Sequence, residues 1–248
     1  MILQTIQCGN MITHSPKNKN YKLMAKKETK KVEKATVKTK KTKATATPIA
    51  GQVIALDLGC GQNKVTKEIL NQNMNVNVDV VLGVDWAKCE GVDVVHDLTN
   101  FPYPFADESV DVIYTSHFIE HLDGRTRAKF MDECYRILKT GGKMRHIHPF
   151  ANSHRAIQDF THAWPPICEH SYFYFDRNWR EINKLTHGDY DLKSDFDFQI
   201  YYSWADQVWP NKNEEMRNFA VKHYKDVIAD LIVDMQKRAP GIVYKHAQ

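Results

Sequence analysis

The sequence predicts an α/β fold: a mostly parallel, twisted sheet with helices on both faces and an antiparallel edge strand. Three apolar segments support this prediction: Val53–Asp57, Val78–Asp85 and Val92–Asp97. Each has the aliphatic character of a parallel strand covered on both faces, and each ends in an acid. Asp57 and Asp85 are 28 residues apart, the separation expected of one strand–helix–strand unit.

The first strand ends in a turn, Leu-Asp57-Leu-Gly59-Cys-Gly61. Glycines there let the backbone approach a ligand, because no Cβ intervenes. Ligands of open α/β sheets bind just beyond the carboxyl ends of such strands. A dinucleotide loop needs a third glycine, and the Asp57 carboxylate would repel phosphate. The turn therefore favours a cationic or amine-bearing nucleoside over a dinucleotide.

The middle of the chain continues the alternation of strands and helices. Val110–Thr115 predicts a fourth strand. Apolar residues from Phe130 to Leu138 then recur at helical spacing, and Gly141–Gly142 is expected to end that helix. Lys143–His148 predicts a fifth strand.

The last part of the chain predicts a cover, an edge strand and a long helix. Residues 151–205 are rich in aromatic side chains and are expected to cover the substrate side of the domain. Within them, Asp195–Tyr201 alternates and predicts the antiparallel edge strand. Apolar residues from Met216 to Met235 recur in steps of three and four, so a C-terminal amphipathic helix is expected over residues 212–239.

The N-terminal part has a different composition from the rest. Residues 17–43 contain twelve lysines and two glutamates, a net charge of +10, so the total of +4 leaves −6 for the remainder. Residues 26–47 lack aromatic residues and apolar periodicity. We therefore expect a disordered, lysine-rich tail over residues 1–47 and one domain over residues 48–248. The lysines favour polyanion contact, with a purely solubilising tail as the alternative.

Composition narrows the class of protein further. With 42% hydrophobic residues the chain can form a sizeable core. Its five cysteines are odd in number and lack Cys-x-x-Cys spacing, which argues against disulfides or a zinc knuckle. No apolar run reaches the roughly 18–20 residues of a membrane span, and no secretion signal is recognisable. We expect a cytoplasmic protein without a membrane partner.

Four features follow one another along the chain: the turn Asp57-Leu-Gly-Cys-Gly61, the strand-end acids Asp85 and Asp97, Ser116-His-Phe-Ile-Glu-His121, and Arg136-Ile-Leu-Lys-Thr-Gly-Gly142. In this order they resemble the motifs of the class I S-adenosylmethionine-dependent methyltransferases, type 11-like subgroup. Thr140 stands where the subgroup usually has proline. The resemblance spans about residues 53–150. It implies a Rossmann-like class I methyltransferase fold with S-adenosyl-L-methionine as cofactor.

The resemblance also implies which residues bind the cofactor. The expected set is Asp57, Gly59, Gly61, Asp85, Asp97, Leu98 and His117. In the family, the acid at Asp85 accepts both ribose hydroxyls, and the acid at Asp97 accepts a hydrogen bond from the adenine amino group. The Leu98 amide would complete the adenine contact, and His117 would lie near the methionine part.

Two histidines are predicted to be catalytic. Methylation of a hydroxyl requires loss of its proton, and histidine titrates in the right range to accept it. His148 lies at the carboxyl end of the predicted fifth strand, and Asp159-Phe-Thr-His162 resembles an Asp-Pro-Thr-His element of the subgroup. We expect His148 and His162 to face the acceptor pocket. The alternative is that both are structural hydrogen-bonding residues.

No metal site is expected, although two sets of potential ligands occur. His117, Glu120 and His121 share a helix face but lack the His-Glu-x-x-His order. The other set has no recognised spacing and consists of His146, His148, His154 and His162.

The methyl acceptor is less well defined. The chain lacks the Asn/Asp-Pro-Pro-aromatic and Pro-Cys signatures, which argues against base methylation. A small-molecule or glycan hydroxyl is the first expectation, and a nucleic acid or protein recruited by the lysine-rich tail is the second. A non-catalytic nucleoside-binding module is disfavoured by the intact acids at positions 57, 85 and 97. An NAD-linked oxidoreductase is disfavoured by the missing third glycine.

Overall fold

A computed structural model of the chain describes residues 51–239. Its strands are β1 Ile54–Leu58, β2 Val80–Asp85, β3 Val94–Val95, β4 Val110–Ser116, β5 Leu138–Pro149, β6 Phe196–Trp204 and β7 Ile228–Lys237. The α-helices are α1 Lys67–Met74, α2 Gly124–Ile137, α3 Arg155–Gln158, α4 Arg177–Ile182 and α5 Glu214–His223. Short 3-10 segments cover Ile119–His121, Glu169–Phe175 and Gly188–Tyr190.

One sheet contains all seven of these strands, in the order β3-β2-β1-β4-β5-β7-β6. Strands β1 to β5 pair in parallel, whereas β7 runs antiparallel to both of its neighbours, β5 and β6. The carboxyl ends of β1 to β5 therefore meet at one edge of the sheet. This arrangement confirms the predicted fold class.

Helices cover both faces of the sheet because side chains alternate along each strand. Leu56 and Leu58 of β1 are fully buried in a core that includes Phe130 of α2. Ala55 points to the opposite face, where it packs in a second core with Leu70 of α1. Burial of each large aliphatic side chain contributes about 1.5–3 kcal/mol.

Polar side chains cap the three longest helices at their N-termini. Thr66 caps α1, Asp123 caps α2 and Asn213 caps α5, each accepting hydrogen bonds from first-turn backbone N–H groups. A cap of this kind is worth about 1 kcal/mol. Asn75, in the left-handed conformation at φ +48°, ends α1.

The predicted C-terminal helix over residues 212–239 is wrong. Helix α5 is short, and Asp226 adopts a left-handed backbone (φ +57°) before β7 begins. Val227, Leu231 and Met235 are spaced four apart, and this spacing fits one face of a strand as well as a helix. The β-branched residues between them favour a strand, which pairs with both β5 and β6.

The expectation that Gly141–Gly142 ends the preceding helix is also wrong. Helix α2 ends at Ile137, and β5 starts at the next residue, Leu138. Gly141 (φ +78°) instead lies where the register between β4 and β5 shifts, between Val110 and Val112. The glycines accommodate an irregularity in a strand pair, which local spacing does not distinguish from a helix stop.

Residues 151–195 form α3, α4 and the 3-10 segments that lie between β5 and β6. Most of the remaining residues of the predicted cover form β6 of the sheet, as the alternation of their side chains predicts. The tail predicted over residues 1–47 lies outside the described residues. Within residues 51–239, no helix has the length and apolarity needed to cross a membrane. The expected cytoplasmic location stays a prediction.

Candidate functional site

The glycine turn after β1 is anchored to the end of β2. The backbone N–H of Gly59 donates to the carbonyl of Val84 at 2.8 Å. Gly59 and Gly61 both have positive φ, +77° and +51°. A Cβ at Gly59 would lie 2.4 Å from the Phe118 ring, whereas nothing lies within 4 Å of the corresponding position at Gly61. The turn is therefore packed tightly at Gly59 and open at Gly61.

Asp57 lies under this turn with only 3% of its surface exposed. Its Oδ2 accepts a hydrogen bond from the backbone N–H of Val65 at 2.7 Å, which folds the segment after the turn back onto β1. Burial raises the pKa of Asp57 to about 6, against the opposing effects of this hydrogen bond and of nearby Lys64. The carboxyl group contributes negative charge beneath the turn when ionised.

Asp85 closes the turn from the neighbouring strand. It ends β2, is 8% exposed, and accepts a hydrogen bond at Oδ2 from the backbone N–H of Gly61 at 3.0 Å. Its Oδ1 accepts from the N–H of Ala87 at 2.9 Å. The structure thus brings together the glycine turn and Asp85, the strand-end acid predicted to bind the ribose. Each carboxylate oxygen retains a further lone pair.

The third predicted acid follows a strand that is shorter than expected. The backbone N–H of His96 donates to the carbonyl of Asp85, which places the end of β3 beside β2. Asp97 is exposed, and hydrogen bonds from the backbone and hydroxyl of Thr99 hold its pKa below the usual range. Leu98 is buried, and its carbonyl accepts from the Tyr103 hydroxyl at 2.8 Å.

His117 approaches the turn from the end of β4. It has a left-handed backbone (φ +53°), and its N–H donates to the carbonyl of Ile147 at 2.8 Å. Its ring Nδ1 lies 3.3 Å from Oε1 of Glu120, whose carboxylate raises the pKa of His117. The imidazole is partly exposed, and the following residue, Phe118, is the one that contacts Gly59. His117 therefore borders the turn predicted to hold the cofactor.

His162 lies near Glu120 and His121. The backbone N–H of Ala163 donates to the carbonyl of Glu120 at 2.8 Å, which docks this segment onto the turn after β4. One potential ligand atom from each of Glu120, His121 and His162 lies within 4.8 Å of the other two. Glu120 and His121 were not among the predicted site residues. The two motifs that bring these residues together, Ser-His-x-x-Glu-His and Asp-x-Thr-His, were nevertheless recognisable.

His148 is placed in the core instead of at an open pocket. It is fully buried, and both ring nitrogens have partners within the protein: the Pro149 carbonyl at 2.9 Å and the Tyr172 hydroxyl at 2.8 Å. A carbonyl only accepts, so Nδ1 donates to it and Nε2 accepts from the hydroxyl. Burial lowers the pKa of His148 to about 4 and that of His146 to about 3. The geometry does not support the predicted catalytic role of His148.

A cavity of about 520 Å³ opens beside the turn after β4. Its walls include Ile119, Arg127, Trp164, Pro165, Tyr172 and Tyr190. The buried guanidinium of Arg127 donates to the carbonyls of Ile119, Leu122 and Pro165, which joins the turn to the cover. The volume and the mainly apolar, aromatic walls suit a small organic ligand.

Comparisons with known proteins bear on the fold and on the domain family. A methyltransferase domain family of type 11 matches residues 56–145. The chain is similar to a SAM-dependent methyltransferase structure from Archaeoglobus fulgidus, with 20% identity over 75% of this chain and 87% of that one, and a TM-score of 0.51. A structure from Mesorhizobium loti, also described as S-adenosylmethionine-dependent, has 14% identity over 77% and 93%, with a TM-score of 0.45. The first of these likenesses shows the fold. No curated protein sequence matches significantly.

Proposed function

We propose that this chain, whose residues 56–145 are a class I S-adenosylmethionine-dependent methyltransferase domain of the type 11 family, methylates a hydroxyl group of a small molecule or a glycan. The proposal that S-adenosylmethionine binds here is supported by the hydrogen bond of 3.0 Å between the Gly61 N–H and Oδ2 of Asp85. It joins the glycine turn to the strand-end acid that the family uses for the ribose.

The residues at this edge of the sheet fit the cofactor in shape and charge. Gly61 leaves open space above the turn, where a bound nucleoside needs room. The carboxyl groups of Asp57 and Asp85 favour a cationic sulfonium and ammonium over a phosphate. Asp85 would accept the ribose hydroxyls, Asp97 the adenine amino group, and the Leu98 amide would face the adenine edge.

The acceptor proposal starts from the chemistry of methyl transfer. When bound, S-adenosylmethionine supplies an electrophilic methyl group. The acceptor oxygen attacks that carbon, the carbon–sulfur bond breaks, and the hydroxyl proton must leave. The chain has to hold the hydroxyl in line and assist loss of the proton. His117 borders the methionine end of the site, so the acceptor would approach from the side of Glu120 and His162.

Of the two histidines predicted to be catalytic, we retain His162 as the group that would accept this proton. Its Nδ1 faces the carbonyl of Ala156 at 3.2 Å, so that nitrogen donates and Nε2 keeps its lone pair. The adjoining aromatic cavity supports a small-molecule or sugar acceptor, because aromatic faces pack well against the apolar faces of such rings. The same volume is too small for a nucleic-acid duplex.

Calorimetry on the full chain tests the cofactor part. We expect S-adenosylmethionine and S-adenosylhomocysteine to bind and NAD not to bind. Asp85→Ala should weaken both sulfur ligands about 100-fold, because it removes a charged acceptor of two hydroxyl hydrogen bonds. Glu215→Ala, an exposed acid on α5, is the matched control and should leave the affinity unchanged. Unaltered affinity in Asp85→Ala would contradict the proposed ribose role.

Tracing labelled methyl groups tests the acceptor part. The full chain and methyl-labelled S-adenosylmethionine would be incubated with an extract separated into small-molecule, glycan, nucleic-acid and protein fractions. We expect label in the small-molecule or glycan fraction, in an ether that survives mild base. Label only in nucleic acid or protein would instead support the alternative of a macromolecule recruited by the lysine-rich tail.

A further inference from the structure

Glu120, His121 and His162 form a three-residue cluster with the composition of a metal site. Each contributes one potential ligand atom within 4.8 Å of the other two. The rings of His121 and His162 meet edge to face with centroids 4.9 Å apart. Two residues come from the turn after β4, while His162 comes about forty residues later in the chain.

The hydrogen bonds around His121 fix which ring nitrogen has a free lone pair. The Thr161 hydroxyl lies 2.7 Å from Oδ1 of Asp159 and 3.0 Å from Nδ1 of His121. A hydroxyl has one proton, and the carboxylate can only accept it. The hydroxyl oxygen therefore accepts from Nδ1–H of His121. Nε2 of His121 is left with its lone pair.

The same reasoning applies to His162. Its Nδ1 lies 3.2 Å from the carbonyl oxygen of Ala156, which can only accept, so Nδ1 carries the proton. Nε2 of His162 has a lone pair and lies 4.0 Å from Oδ2 of Asp159. Metal-bound histidines commonly donate their second ring N–H to a carbonyl or another acceptor in this way, which orients the ring and fixes its tautomer.

Glu120 supplies the second, independent observation. Its carboxylate is buried, with 5% of the residue exposed. Oε1 faces Nδ1 of His117 at 3.3 Å without an aligned hydrogen bond, and neither oxygen accepts one from any residue between 51 and 239. Burial of a carboxylate is costly, and His117 offsets that cost only when its imidazole is protonated, whereas a bound cation would offset it whatever the protonation of His117.

We infer that Glu120, His121 and His162 bind one divalent first-row transition-metal ion through the carboxylate and two imidazole Nε2 atoms. Two histidines and one carboxylate are a recognised ligand set for such ions, and three protein ligands leave positions open for a substrate or water. Donor atoms around a tetrahedral ion with bonds of about 2.0–2.1 Å lie about 3.3 Å apart. The cluster therefore has to contract by about 1.5 Å or less at its widest separation.

An ion at this position would act on the proposed acceptor. A hydroxyl bound at an open position would be held in place and would lose its proton more readily, because the ion lowers its pKa. With the ion bound, Nε2 of His162 would be occupied as a ligand, so the proton would leave to water and the ion would replace His162 in promoting its loss. This consequence rests on the proposed function, whereas metal binding itself does not.

Metal binding is tested on the untagged, chelator-treated full chain, without cofactor or acceptor. Co²⁺ is the probe because its visible absorption reports imidazole and carboxylate coordination, and Zn²⁺ competition measures affinity. We expect one ion per chain. Glu120→Gln, His121→Gln and His162→Gln should each weaken binding at least 100-fold. His223→Gln, an exposed histidine on α5, is the matched control and should bind as the parent chain does.

Thr161→Val is expected to fold like the parent chain, because Thr161 is exposed. It removes the acceptor that orients His121 and should weaken Co²⁺ binding about 10-fold. Calorimetry with S-adenosylhomocysteine on every variant confirms that the domain is folded. Absence of a bound ion in the parent chain, or equal Co²⁺ binding in the cluster variants, would overturn the inference. Either result would leave the cofactor test with Asp85→Ala intact.

Discussion

Burial and a cationic ligand have opposite effects on the ionisation of the Asp57 carboxyl group. Its folded-state pKa is about 6, raised mainly by burial. A cationic ligand above the turn favours the ionised form, so binding requires proton release below about pH 6. We therefore predict that affinity for S-adenosylmethionine rises as the pH increases, and is about 10-fold weaker at about pH 5 than at about pH 7.5.

Calorimetry at the two pH values measures this change. Asp57→Asn retains an oxygen for the Val65 N–H but cannot ionise. Its affinity should therefore be weak and nearly independent of pH over the same range. A parent-like pH dependence in Asp57→Asn would assign the effect to another group. Asp85 and Lys64, which also influence the Asp57 carboxyl group, are the first residues to examine.

His148 gives a prediction for the pH dependence of folding stability. Its folded-state pKa of about 4 lies below the ordinary value of 6.5, because burial disfavours the imidazolium. The unfolded chain therefore binds more protons between these pH values, and stability contributed by neutral His148 is lost as the pH falls from about 6.5 to about 4. The shift corresponds to about 3 kcal/mol at the lower end.

Urea unfolding of the parent chain and of His148→Gln at several pH values tests this assignment. The glutamine should lower stability near neutral pH, because it disturbs the hydrogen bonds to Tyr172 and Pro149. It should also make the loss of stability in acid smaller. Comparison of the two proteins at each pH cancels the contribution of Asp57, which runs the other way. An unchanged acid slope would contradict the assignment.

At the level of elements, the turn after β1 depends on its two glycines for different reasons. Gly59 combines φ +77° with a Cβ position 2.4 Å from the Phe118 ring, whereas Gly61 combines φ +51° with open space. We predict that Gly59→Ala costs more than about 2 kcal/mol of stability, from both strain and overpacking. Gly61→Ala should cost only about 1 kcal/mol, from the backbone alone.

Chemical denaturation measures both costs, and Gly61→Ala serves as the matched control for the backbone effect. Cofactor affinity of the two variants is a second measurement. Gly59→Ala should lower it by moving Phe118 and the turn, and Gly61→Ala should lower it by filling the space above the turn. Equal destabilisation by the two substitutions would mean that the contact with Phe118 is relaxed in solution.

Strand β7 shows where reasoning from local sequence reaches its limit. The apolar residues Val227, Leu231 and Met235 satisfy a helical spacing and a strand spacing equally well. The choice between helix and strand depends on β5, which is distant in the chain and pairs along one edge with β7. Strand β6, by contrast, alternates in a way that a helix does not, so its sequence alone predicts it.

At the level of the whole molecule, charge is divided unequally along the chain. Residues 17–43 carry +10, and the rest of the chain carries −6. We predict that deletion of residues 1–47 weakens binding to heparin or RNA and reduces its salt dependence, because fewer counterions are released. Deletion of residues 1–16, which carry no formal charge, is the control and should change little.

Fluorescence titration at two salt concentrations measures polyanion binding for both deletions. Affinity for S-adenosylmethionine should be the same in all three proteins, because its proposed residues lie between positions 57 and 117. Salt-dependent binding that persists after deletion of residues 1–47 would place the polyanion contact on the domain. That result would remove the support for a tail-recruited macromolecular acceptor.

The sequence by itself determined the fold class and the edge of the sheet that is proposed to bind the cofactor. Aliphatic segments ending in Asp57, Asp85 and Asp97 suffice for this, because the carboxyl ends of parallel strands must meet at one edge of the sheet. Continuous aliphatic runs and a glycine turn are local features, and the structure confirms the strands that they predict. The roles of the individual acids stay predictions.

Only the tertiary structure decided which histidines can be reached and which polar groups meet. His148 and His162 look equivalent in sequence, yet one is enclosed by Tyr172 and the other joins Glu120 and His121. Burial depends on which distant segments pack together, and local periodicity carries no information about that. The proposed acceptor side therefore depends on long-range packing of the cover against the turn after β4, whereas the proposed cofactor side follows from the order of strands.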